Sequence, residues 1–222
     1  MKKRIAVIAI LLLLSACSAN TDSEDVNTNQ TGQNQSTDTA QPTPGGGGKV
    51  NEEEPAKAAT PDAAAAAVMQ ALKEKDMGTL SAYIHPAKGL LFSPYAHIDT
   101  ATAKVFPAKD FPALTDKAVY NWGTYDGSGE LIELTFQQYY DKFVYDKDFM
   151  KAETVGADQI IGKGNMLVNI KDIFPGSYVM DYYFSGFDPQ YEGMDWESLI
   201  LVLEELDGAW YVSAVVHSQW TI

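Results

Sequence analysis

The chain has a single cysteine, Cys17, so it closes no disulfide within itself. It has three histidines, His85, His97 and His217, and no two stand at the i, i+4 spacing that puts a ligand pair on one helix face. A zinc site would need tertiary assembly that spacing does not reveal, so neither a metal nor a cofactor is expected. No Walker glycine–lysine loop and no paired-glycine dinucleotide turn occurs. Gly162-Lys163-Gly164-Asn165 lacks the spacing of a phosphate loop and reads as a turn. A nucleophile elbow at Ser128 would need glycines two residues to either side, where Asp126 and Glu130 stand instead. No apolar run reaches the roughly 20 residues of a membrane-spanning helix. Basic residues are the minority, 16 against 30 acidic.

What is present begins with Met1-Lys2-Lys3-Arg4, a short positive segment, followed by an apolar run over 5–14 and by Leu14-Ser15-Ala16-Cys17. A positive start, a short apolar stretch and small residues at the cut describe a secretory signal peptide, here 1–16. The tetrad ending in Cys17 resembles the lipobox of bacterial lipoproteins. That resemblance implies that the Cys17 thiol carries a diacylglyceryl group and becomes the first residue after cleavage. It also implies a cell-membrane location, lipid-anchored on the outer, extracytoplasmic face, with the acyl chains as the membrane partner.

Residues 17–60 hold no Phe, Tyr or Trp and are rich in Asn, Gln, Thr, Ser and Asp, with Pro42-Thr43-Pro44 and four glycines from Gly45. Such a segment buries too little apolar surface to offset its chain entropy and is expected to be a disordered tether. As a coil of about 43 residues it would reach roughly 35–40 Å. All 25 aromatic residues lie at or after Tyr83, so the composition changes sharply and a single globular domain is expected over 61–222. About 160 residues suit one core. Without Lys2, Lys3 and Arg4 the chain has 13 basic against 30 acidic residues, a net charge of −17. Nucleic acid and anionic lipid headgroups should be repelled.

Thr60-Pro61-Asp62 has the form of a helix start, with a Thr cap, Pro at the first position and an acid in the first turn. Ala65, Val68, Met69 and Leu72 then recur at helical spacing. Asp76 reads as a second cap, and His85-Pro86 ends that helix. A strand is expected over 89–95, a loop with a helical turn over 106–114, and a strand over 119–125. Asp126-Gly127-Ser128-Gly129 is turn chemistry, and Thr135-Phe136-Gln137-Gln138 has the form of a capping box. The helix it opens carries Phe136, Tyr139, Tyr140 and Phe143, a stripe expected in the core. Strands are expected over 177–187, 197–205 and 209–220, the last two joined at Asp207-Gly208 by a two-residue hairpin turn. Helices first and long strands last predict an α+β domain, with N-terminal helices packed on a curved antiparallel sheet.

The helix pair over 64–84 and the closing strands ending in Trp210-Tyr211-Val212 resemble the NTF2-like, cone-shaped α+β fold. That resemblance implies a pocket in the concave face of the sheet. The strings Phe92-Ser93-Pro94-Tyr95, Trp122-Gly123-Thr124-Tyr125-Asp126-Gly127-Ser128-Gly129, Phe184-Ser185-Gly186-Phe187-Asp188-Pro189, His85-Pro86-Ala87-Lys88-Gly89 and His217-Ser218-Gln219-Trp220-Thr221-Ile222 resemble those of Gram-positive lipoproteins. This second resemblance implies localisation and carries no activity.

Strict alternation along 209–220 puts Tyr211, Ser213, Val215, His217 and Gln219 on one face, and Asp181, Tyr183 and Ser185 share a face of the 177–187 strand. On a cupped sheet these residues would line a pocket, with Asp181, Tyr183, Tyr211, Ser213 and His217 as candidate ligand-binding residues. Asp181 and His217 would form an acid–base dyad if strand order made them neighbours. Asp126, Ser128 and Glu130 have oxygens at alternate positions, as in a calcium loop, but Thr124 and Thr135 stand where the first Asp and the bidentate Glu belong, so a hairpin turn is preferred. Absence of catalytic spacing favours a domain that binds a small molecule, a glycan or an envelope protein. An enzyme with an NTF2-like pocket and a structural envelope module using Trp122, Trp196 and Trp220 are the alternatives.

Overall fold

The computed structural model describes residues 58–221. The expected signal peptide, Cys17 and the tether up to residue 57 lie outside the described residues. Ala58 is already buried, and its carbonyl accepts the Trp210 N–H at 2.9 Å, so packing begins three residues before the expected domain start.

Helix α1 (Pro61–Glu74) starts as its residues dictate. Thr60 Oγ1 accepts the Ala63 N–H, and Pro61 occupies the first turn, where its missing N–H costs nothing. Its buried stripe runs through Ala64, Ala65, Val68, Met69 and Leu72. Lys75 closes it in the left-handed region, and Asp76 at once caps α2 (Met77–Ala82) by accepting the Thr79 N–H at 3.0 Å. Helix α3 (Phe136–Phe143) carries the full capping box between Thr135 and Gln138. Its aromatic stripe is buried as expected, with Tyr139 stacked on Trp122 at 3.8 Å between ring centroids.

Six strands form the main sheet, in the order β2 (Lys104–Phe106), β1 (Leu90–Ser93), β8 (Ala209–Gln219), β7 (Glu197–Leu206), β6 (Tyr178–Phe184) and β5 (Thr154–Ala157). All its neighbours are antiparallel except β1 and β8, which run parallel. A separate hairpin pairs β3 (Val119–Thr124) with β4 (Leu131–Thr135). The domain is therefore mixed α+β with a mostly antiparallel sheet and few helices. Strands β2, β4 and β5 and the short helix α4 (Ile170–Ile173) have no counterpart among the expected elements.

The sheet has a core on each face. Helices α1, α2 and α3 cover one, against Leu199, Leu201, Leu203, Val212 and Val215. Ile98, Ile170 and Phe174 cover the other, against Val179, Ile200, Val202, Ala214 and Val216. Asp207 and Gly208, at φ 52° and 76°, make the β7–β8 turn, and two successive positive φ values are what a right-twisted hairpin needs.

Strict alternation along β8 fails at one residue. Leu203 pairs with Val212 but Val202 pairs with Ala214, so Ser213 is an extra residue, a β-bulge. Val212 and Val215 consequently share a face, and Tyr211 lies on the opposite face from His217. The expectation that Tyr211, Ser213 and His217 line one surface is thereby corrected, because a bulge reverses the parity of everything before it.

Candidate functional site

The five candidate residues do not meet. Asp181 is fully buried and its Oδ2 accepts the N–H groups of Ile161 at 2.6 Å and Gly162 at 3.2 Å. It ties the loop after β5 to the sheet. Burial pushes its carboxyl up, while the Ile161 N–H, the Ser198 hydroxyl and the Gly162 N–H pull it back. Tyr183 packs beside Trp196, and Tyr211 sets its ring edge-on to His85. Ser213 donates its hydroxyl to Glu204 Oε2 at 2.6 Å. Asp181 is in register with Ile200 and Val216, whereas His217 is in register with Leu199, so the two lie on opposite faces with β7 between them. The expected Asp181–His217 dyad is therefore not formed.

The carboxylate beside His217 is Asp146, from the turn after α3, with Nε2 3.7 Å from Oδ1. Glu197 joins them from β7. It precedes Leu199 by two residues, and Leu199 faces His217, so β-periodicity aims Glu197 and His217 the same way. Lys147 lies between the acids, its Nζ 2.9 Å from Asp146 Oδ2 and 3.0 Å from Glu197 Oε2. Burial opposes charge on Asp146, yet His217 and Lys147 hold its carboxyl well below the usual carboxylate range. Burial and the neighbouring Asp146 push Glu197 up. Burial would lower the Lys147 ammonium, but the two acids outweigh it and raise it. His217 is 1% exposed, packs against Phe143 and makes no hydrogen bond through either ring nitrogen.

A cleft of about 420 Å³ opens at the C-terminal ends of β1 and β3. Two of the strings quoted above line it, one through Tyr95 and the other through Trp122, Tyr125 and Asp126, together with His97 and Asp99. The Tyr95 hydroxyl accepts the Asp126 N–H at 3.1 Å and so holds the β3–β4 turn against β1. That turn is closed by its own backbone bonds, Gly129 N–H to the Tyr125 carbonyl and Tyr125 N–H to the Glu130 carbonyl. Asp99 accepts the Ala101 N–H and the Thr102 hydroxyl, which together hold its carboxyl below the usual range. No lysine or arginine lines the cleft. A smaller hollow adjoins it through Tyr95, Tyr125 and Asp126, and a further one, lined by Glu197, meets that hollow at Gln219 and Trp220.

Trp122 and Trp196 are buried, so two of the three tryptophans that an envelope-binding surface would use belong to the interior. Sequence reasoning missed Asp146 and Glu197, and also the cleft, whose residues come from loops and from the ends of β1 and β3. The strings around Tyr95 and Tyr125 were the one signal for it. No family model, no curated protein and no solved structure matches this chain.

Proposed function

We propose that this chain is a lipid-anchored lipoprotein of the cell envelope whose domain binds a small ligand in the cleft between Tyr95 and Tyr125. The anchor reading rests on Leu14-Ser15-Ala16-Cys17. Helices α1 and α2 on one face of a mostly antiparallel sheet support the finer, NTF2-like reading of the fold.

The cleft carries the binding reading. It combines two tyrosines, hydroxyl groups, two carboxylates and the His97 imidazole, with no lysine or arginine in its lining. Aromatic faces stack on the apolar faces of sugars and on cationic groups, and carboxylates accept from hydroxyl or ammonium donors. An anionic ligand would face the carboxylates of Asp99 and Asp126. The ligand class is therefore a neutral glycan fragment or a small cation.

The test is a thermal-shift panel on the full chain in detergent, with neutral wall-glycan fragments, cationic peptides and anionic controls. At one hundred times its dissociation constant a ligand adds about 2.7 kcal/mol of stability, a readable shift. A neutral or cationic probe should shift the wild type and not Tyr125→Ala. A flat panel, or a shift that survives Tyr125→Ala, would remove the cleft as the binding site.

A further inference from the structure

Outside the cleft, the group least explained by folding alone is the cluster of Asp146, Lys147, Glu197 and His217. We infer that Asp146, Glu197 and His217 form a site for a divalent transition metal of the zinc class, and that Lys147 stands in for the ion until it binds.

The donor set is the first argument. One imidazole nitrogen and two carboxylate oxygens suit zinc and its neighbours, whereas calcium and magnesium take oxygen alone. One donor atom from each residue lies within 4.8 Å of the other two. A tetrahedral ion with bonds of about 2.0–2.2 Å holds its ligands about 3.3–3.6 Å apart, so a closure of roughly 1 Å completes the set. The Asp146–His217 pair, at 3.7 Å, is already near that spacing.

His217 is the second argument. An imidazole that is 1% exposed, with neither nitrogen hydrogen-bonded, leaves buried polar atoms unsatisfied. It stands between Phe143 and the cluster, and ligation through Nε2 would satisfy the nitrogen that faces Asp146.

Charge and access complete the case. Two carboxylates share one ammonium, and a divalent ion would balance both. Glu197 lines a hollow of about 190 Å³ that opens beside Phe187 and Trp220. The Lys147 side chain is 34% exposed and its Nζ lies 5.2 Å from the centre of the ring of Phe187, which lines that hollow. It withdraws to water by side-chain rotation, leaving the backbone in place. Three protein ligands would leave a tetrahedral ion one position for water or a ligand entering from the hollow.

The full chain, purified in detergent and stripped with chelator, would be incubated with zinc, passed through a desalting column and analysed for metal. One zinc per chain is expected in the wild type and in His97→Ala, with loss in His217→Ala and Glu197→Gln. Lys147→Met should bind zinc more tightly, a gain that misfolding cannot produce. Circular dichroism would confirm that the two loss variants are folded. The inference is overturned if the wild type retains no zinc, if His217→Ala retains as much, or if Lys147→Met binds zinc no better.

Discussion

Asp181 has no exposed surface and receives two backbone N–H groups on one oxygen. Its folded-state carboxyl titrates above the ordinary value of about 3.9 because burial disfavours the anion. The folded state thus binds this proton more tightly than the unfolded chain does. Its contribution to stability is greatest below the unfolded value, falls as pH rises towards the folded value, and is constant above it. Asp181→Asn keeps an oxygen for the Ile161 and Gly162 N–H groups and removes the titration. Urea midpoints measured across that window should fall with rising pH in the wild type more than in the variant. Equal slopes would mean that the carboxyl is not desolvated in solution. Asp146 works in the opposite sense, since a depressed carboxyl stabilises the fold above its unfolded value and is lost only as pH falls. Neither role is written in the residue's own identity. Asp181 reads as a candidate base and serves as a loop tie, while Asp146, in Tyr145-Asp146-Lys147-Asp148, stands in no motif that marks it out.

At the level of elements, local chemistry was legible wherever one residue type answers one backbone need. The Thr60 and Thr135 caps, the Asp76 cap and the Asp207-Gly208 turn all form as their residues require. Strands β2, β4 and β5 were not, because pieces of three to five residues carry too few alternations to show a period. The bulge at Ser213 was illegible for a different reason. It shows only in the pairing of β8 with β7, and pairing is a property of two segments together. One inserted residue parted Tyr211 from His217, and the β6–β7–β8 register separately put Asp181 on the face away from His217. The same reasoning explains why Glu197 went unseen beside His217, since their meeting needs β7 and β8 placed in register. The turn between those strands gives a clean test. A Cβ added at Gly208 meets nothing within 4 Å, so Gly208→Ala probes the φ of 76° alone. It should cost about 1–2 kcal/mol, the penalty of the left-handed region for a residue with a Cβ, with the denaturant slope unchanged. A neutral result would show that the turn relaxes to another type.

For the whole molecule, the question is what holds it to a membrane if it is anchored. Electrostatics works against adhesion, since the net charge is −14, and would be −17 without Lys2, Lys3 and Arg4, and anionic headgroups repel such a surface. Among the described residues no helix is long and apolar enough to cross a bilayer. The most exposed apolar side chains, Leu167, Val119 and Leu131, stand far apart in the sequence and belong to no amphipathic helix. Membrane attachment of the proposed lipoprotein thus falls to Cys17, where each acyl CH₂ buried contributes about 0.8 kcal/mol and two chains suffice for stable anchoring. Two outcomes follow together. The wild type should incorporate a labelled fatty acid and sediment with membranes at both low and high salt, because acyl burial is not screened. Cys17→Ala should take up no label and appear in the soluble fraction or the medium, since the apolar run over 5–14 is too short to span even if it is retained. Label incorporated by Cys17→Ala would refute attachment at this residue. Release of the wild type by salt alone would assign its membrane association to charge, against the sign of the whole surface.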